Sequence, residues 1–142
     1  MRKFRFALMF LLFAASLACA LPSLTRQDTL QGVTVAVTPA PLHEESVTWD
    51  FAVVFHSLGR PLQDDMLQGA FLVADGQRLQ PLSWEGQGPT LARHRAGILR
   101  FPAVRSIPEE LEFHLQRPGE ASARTFRWDF RGWLALASER GH

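Results

Sequence analysis

The sequence predicts an all-β chain: an antiparallel, immunoglobulin-like β-sandwich of about seven strands, following an N-terminal signal segment. Three observations predict it. Apolar residues alternate with polar ones at period two through most of the chain. Gly, Pro and Asp recur between those stretches, where turns need them. Only Leu62 to Leu67 and Trp133 to Ser138 carry a pattern that suits a helical turn. Many short strands with frequent turns favour two packed sheets. A small open barrel fits the same pattern and is the competing architecture.

The chain opens as an export signal does. Arg2, Lys3 and Arg5 form a basic start, Phe6 to Ala15 is a compact apolar run, and Ala18-Cys19-Ala20 gives the small-x-small pattern of a signal-peptidase cut. Residues 1–20 are therefore read as a signal peptide, with the mature chain starting at Leu21 in the periplasm or secreted. A lipoprotein acylated at Cys19 is one alternative, membrane-anchored through its acyl chains. An uncleaved anchor is the other, although Pro22, Ser23 and Thr25 shorten the apolar run below the ~20 residues of a span. Membrane contact is expected only by those two routes. Residues 21–31 read as a short tether, 32–131 as the sandwich domain and 132–142 as a C-terminal tail.

The strands follow in order. Val33, Val35 and Val37 share one face, and Pro39-Ala40-Pro41 ends their run. Val47, Trp49, Phe51, Val53 and Phe55 form a longer stripe, which must be buried because alternate strand residues face one side. Ala70 to Ala74 and Leu79 to Trp84 flank Asp75-Gly76, a tight-hairpin signal. Ile98 to Phe101 is a short strand closed by Pro102. Leu111, Phe113 and Leu115 alternate with Glu110, Glu112, His114 and Gln116, so His114 is expected on a solvated face. Phe126, Trp128 and Phe130 alternate with Arg127, Asp129 and Arg131 before Gly132.

Composition removes several function classes. The chain has one cysteine, Cys19, and it lies in the signal, so the mature chain is expected to carry no disulfide, thiol nucleophile or Cys-based zinc site. Removing Arg2, Lys3 and Arg5 leaves 12 basic residues against 14 acidic, a net charge of −2. That balance gives no case for nucleic-acid binding. There is no G-x-S-x-G elbow, P-loop or dinucleotide fingerprint, and His56-Ser57 point apart as strand neighbours. The expected class is a binding protein, not an enzyme.

The candidate site residues are histidines and one loop. His43, His56, His94, His114 and His142 show no H-x-H or H-E-x-x-H spacing. His56 and His94 both sit at strand ends, His56 just before a loop holding Asp64 and Asp65. Imidazoles so placed assemble a Zn or Cu site from distant positions, or fix a loop by hydrogen bonding. A Cu(I) site of methionines lacks its ligands, because Met1 and Met9 leave with the signal and Met66 stands alone. Trp84-Glu85-Gly86-Gln87-Gly88-Pro89 reads either as the rim of a binding site or as an end loop pinned by Trp84. Arg95, Arg127 and Arg131 lie near aromatics and are expected to stack on them.

Four stretches carry a family resemblance. These are Phe51 to Ser57, Pro81 to Gly86, His94 to Pro102 and Thr125 to Asp129. With their H-S, S-W-E-G, H-R-x-G-x-L-x-F and F-x-W motifs, the chain resembles a group of uncharacterised exported bacterial β-sandwich proteins over Gly32 to Phe130. It departs from them at Arg93, where they often carry a second histidine. The resemblance implies that His56, His94 and the Trp84-Glu85 loop meet at one end of the sandwich, with Glu85 or an aspartate completing a metal site. The alternative is a metal-free module that docks another envelope protein through loop ends or an open sheet edge.

Overall fold

The computed structural model describes residues 24–132, two antiparallel sheets packed face to face. The signal segment with Cys19, the first tether residues and residues 133–142, including His142, lie outside the described residues. The elements run β1 (Arg26–Leu30), β2 (Val33–Pro39), β3 (Thr48–Ser57), α1 (Met66–Gly69), β4 (Ala70–Ala74), β5 (Gln77–Leu79), β6 (Ser83–Gly86), β7 (His94–Pro102), β8 (Glu110–Leu115) and β9 (Arg124–Asp129). One sheet has five strands in the order β1-β2-β3-β7-β6, and the other has four in the order β5-β4-β8-β9. The sandwich expected from the sequence is present, with nine strands among the described residues rather than about seven.

The two extra strands have physical causes. Residues 26–30, read as tether, form the edge strand β1, which pairs with β2 from Arg26 opposite Val37 to Leu30 opposite Val33. The turn between them is Gln31-Gly32, both at positive φ (51° and 74°), as a two-residue type I′ hairpin requires. Asp75-Gly76 repeats the device at φ 46° and 83° between β4 and β5, where the sequence placed it. The stretch Leu79 to Trp84 is not one strand. Pro81 has no N–H to donate to a ladder, and there the chain leaves β5 in the four-stranded sheet and enters β6 in the five-stranded one.

The core follows the predicted stripes except at Val47, which precedes β3 and is 84% exposed. Val33, Val35 and Val37 of β2 and Trp49, Phe51, Val53 and Phe55 of β3 face Leu72, Leu111, Phe113, Leu115, Phe126 and Trp128 across the sheet interface. Phe51 touches both sheets, with ring centroids 5.5 Å from Phe101, 5.7 Å from Phe113 and 6.0 Å from Trp128. The helical turn falls at Met66–Gly69, beginning within the predicted segment and capped by Asp65, whose carboxylate accepts from the N–H groups of Leu67 and Gln68. It sits beside β4 at the same end of the sandwich as the tips of β3 and β7.

Candidate functional site

The register of β3 on β7 sets the candidate site. His56 stands directly opposite His94. The adjoining pair is hydrogen-bonded, Ser57 N–H donating to the Arg93 carbonyl at 3.0 Å, so the histidines occupy a non-hydrogen-bonded pair, where Cα atoms approach to about 4.5 Å. Their Nδ1 atoms lie 3.5 Å apart and their ring centroids 4.7 Å apart at 55°. Both project from the outer face of the five-stranded sheet, His56 exposed and His94 half-buried.

The other predicted members are elsewhere. Glu85 is opposite Ile98, four residues along β7 from His94. At a strand's rise that is about 13 Å, too far for both to hold one ion. Trp84 belongs to the opposite face, partly buried against the core beside Gly97. The segment Ser83–Gly86 is thus an edge strand and not a loop, because its backbone pairs with β7. Among the described residues no group of three or more His, Cys, Asp or Glu is placed to hold a metal ion.

Trp84 has a specific fit. A Cβ at position 97 would meet Cζ2 of the Trp84 ring, with Cη2 at 2.6 Å and the Glu85 carbonyl at 2.7 Å. The indole therefore needs a glycine beneath it, and the Arg95 guanidinium lies over the ring at 5.2 Å. Gly97→Ala is expected to cost about 1–3 kcal/mol by overpacking. Urea unfolding measures it, and a loss under 0.5 kcal/mol, roughly the scale of a neutral surface change, would contradict the fit.

Arg127 and Arg131, expected on aromatics, instead pair with acids. Arg127 Nε is 3.2 Å from Glu112, and Arg131 Nη2 is 2.6 Å from Asp129. Hydrogen bonding from Arg131 holds the Asp129 carboxyl at about 2. His114 is half-buried rather than solvated, bonded to Glu112 at 2.9 Å and stacked on Phe71 at 4.6 Å.

The His end also holds a buried ionic cluster. Arg117 donates to both oxygens of Asp64 at 2.8 and 3.0 Å and to the Pro61 carbonyl at 3.3 Å. Arg124 donates to both oxygens of Glu120 at 2.9 and 2.7 Å, and to the carbonyls of Asp28, Leu30 and Val33. All four side chains are buried. The hydrogen bond from Arg124, ahead of any other effect, holds the Glu120 carboxyl below its ordinary value. Nothing in the sequence marks these residues as interior, since each reads as an ordinary loop or strand-end charge.

No protein-family model matches the chain, and no curated protein matches it. Among solved structures, it is similar to a DUF4426 family protein from Pseudomonas aeruginosa PAO1, at 11% identity and a TM-score of 0.41, covering 73% of this chain and 93% of that one. It is also similar to the secreted protein MPT63 from Mycobacterium tuberculosis, at 15% identity and a TM-score of 0.42, covering 75% and 91%. Both likenesses are too distant to carry a residue or an activity across. Among the described residues no helix is long and apolar enough to cross a membrane.

Proposed function

We propose that the chain is an exported, non-catalytic binding protein of the cell envelope, and that the His56–His94 pair is its metal-binding point. Export rests on the N-terminal pattern of residues 1–20. The family resemblance of the H-S and H-R-x-G motifs agrees with it. The observation that carries the binding site is the facing of two imidazoles across a non-hydrogen-bonded pair. With metal–nitrogen bonds of about 2.1 Å, nitrogens 3.5 Å apart subtend about 113° at an ion, close to a tetrahedral angle. Imidazole nitrogen suits Zn²⁺ and Cu²⁺. The chain supplies two donors and leaves the remaining positions to water or to a partner's groups.

The test is a native mass spectrum of the exported chain with and without Zn²⁺ and Cu²⁺, beside His56→Ala and His94→Ala. One ion per chain, lost in both variants, is the expected result. No adduct, or an adduct indifferent to both substitutions, overturns the metal site. The same spectrum of wild-type protein recovered from the envelope reads the N-terminus, because cleavage before Leu21 and acylation at Cys19 give different masses. A metal-free interaction module is the second reading, favoured by β6, a four-residue edge strand with one side unpaired in its sheet.

A further inference from the structure

We propose that the cleft between Gly59–Gln63 and Thr90–Arg93 binds a small amphiphilic oxyanion, its carboxylate or phosphate held between the guanidinium groups of Arg60 and Arg93. The inference is independent of any metal at the histidine pair.

One residue brings the two arginines together. Ser57 Oγ donates to the Arg60 carbonyl at 2.7 Å and accepts from the N–H groups of Arg60 at 2.7 Å and Gly59 at 3.2 Å. The backbone N–H of the same serine donates to the Arg93 carbonyl. Arg93 itself sits at the tip of a tight turn, closed by Leu91 N–H to the His94 carbonyl at 2.9 Å and His94 N–H to the Leu91 carbonyl at 3.3 Å. Both arginine backbones are thus fixed to Ser57, on two walls of one cleft of about 480 Å³. That volume lies in the range of small-molecule sites.

The charge there is uncompensated. Among the described residues neither the Arg60 nor the Arg93 guanidinium makes an ion pair or hydrogen bond. The two acids that follow Arg60 in the chain are already engaged, Asp64 with Arg117 and Asp65 with the first N–H groups of α1. Two planar forks free to donate match the paired oxygens of a carboxylate or phosphate. The walls are not wholly polar. Leu62 is buried behind the cleft, and Leu91 on its rim is 56% exposed. A charged group carried on an apolar body fits that surface better than a bare anion, since Leu91 leaves water only if an apolar ligand covers it.

The test follows amide shifts by NMR as the exported chain is titrated with decanoate, with uncharged decanol, and with vesicles containing phosphatidylglycerol. Decanoate is expected to move the amides of residues 57–63 and 90–94. Arg60→Gln and Arg93→Gln, both exposed changes, should each weaken it about tenfold, the scale of one lost charged hydrogen bond, with the melting temperature unchanged. Vesicle binding that needs both arginines would assign the oxyanion to a lipid headgroup; decanoate binding alone would assign it to a free amphiphile. Equal binding of decanol, indifference to both substitutions, or no shift with either anionic probe overturns the proposal. None of these outcomes depends on whether His56 and His94 take up zinc.

Discussion

Arg124→Leu is expected to cost about 3–5 kcal/mol of folding stability, the scale of a buried ion pair broken on one side. Leucine fills much of the volume but donates nothing. It leaves the Glu120 carboxylate, which is 8% exposed, with only the longer contact to Arg117 at 3.4 Å, and takes one hydrogen bond from each of three carbonyls of the β1–β2 hairpin. Those carbonyls belong to the five-stranded sheet and Arg124 to the four-stranded one, so the loss also loosens the join between the layers. Urea denaturation of wild type and variant measures the cost, and a difference under 1 kcal/mol, roughly what a surface pair contributes, would refute the buried-pair account.

The same variant has a pH signature. In the wild type the Glu120 carboxyl is held below its unfolded value. A depressed folded pKa gives stability that is fully present above the unfolded carboxylate range and is lost as pH falls through the folded value. Wild-type stability should therefore drop on acidification below about pH 4. In Arg124→Leu the largest cause of the depression is gone, so this acid-dependent loss should shrink. A pH series of unfolding midpoints separates that outcome from a loss of packing alone, which would displace the curve without changing its slope.

Phe51→Ala is expected to be as damaging, at about 3–5 kcal/mol. Phe51 is fully buried on a central strand, and its ring meets Phe101 edge-on within its own sheet and Phe113 and Trp128 in the other. Alanine would leave a void between layers that rigid neighbouring rings cannot close. A domain of this size typically has only 5–15 kcal/mol in total, roughly, so much of the cooperative transition would be lost. Calorimetry should show the melting temperature falling by more than about 10 °C. A fall of a few degrees would mean that the sheets collapse around the gap.

The layers were legible because their signal is local. Val33-x-Val35-x-Val37, Trp49 to Phe55 and Leu111-x-Phe113-x-Leu115 each declare a buried face within a few residues, and each is buried. β1 was not legible, since Arg26-Gln27-Asp28-Thr29-Leu30 has no apolar alternation and is held by backbone pairing to β2. The change of sheet between β5 and β6 was hidden too, although Pro81 was its visible cause. For the site, the sequence pointed to His56 and His94 as strand-end imidazoles. Their facing depends on the β3–β7 register, a pairing across 38 positions of chain. Glu85 was misplaced by the same ignorance of register. The cluster of Asp64, Arg117, Glu120 and Arg124 was invisible, because charged residues become interior only through partners remote in sequence.

The route of the chain also fixes how the molecule presents itself. β1 begins and β9 finishes at the same extremity, where the Trp128 indole N–H donates to the Leu24 carbonyl at 2.6 Å and Arg26 reaches the Arg127 carbonyl at 3.1 Å. The imidazoles and the arginine cleft crown the other extremity, with the ten residues of β3 between, a span of about 30 Å. A chain held at a surface by its leading segment would stand like a post, with the histidine pair and the arginine cleft raised to the top.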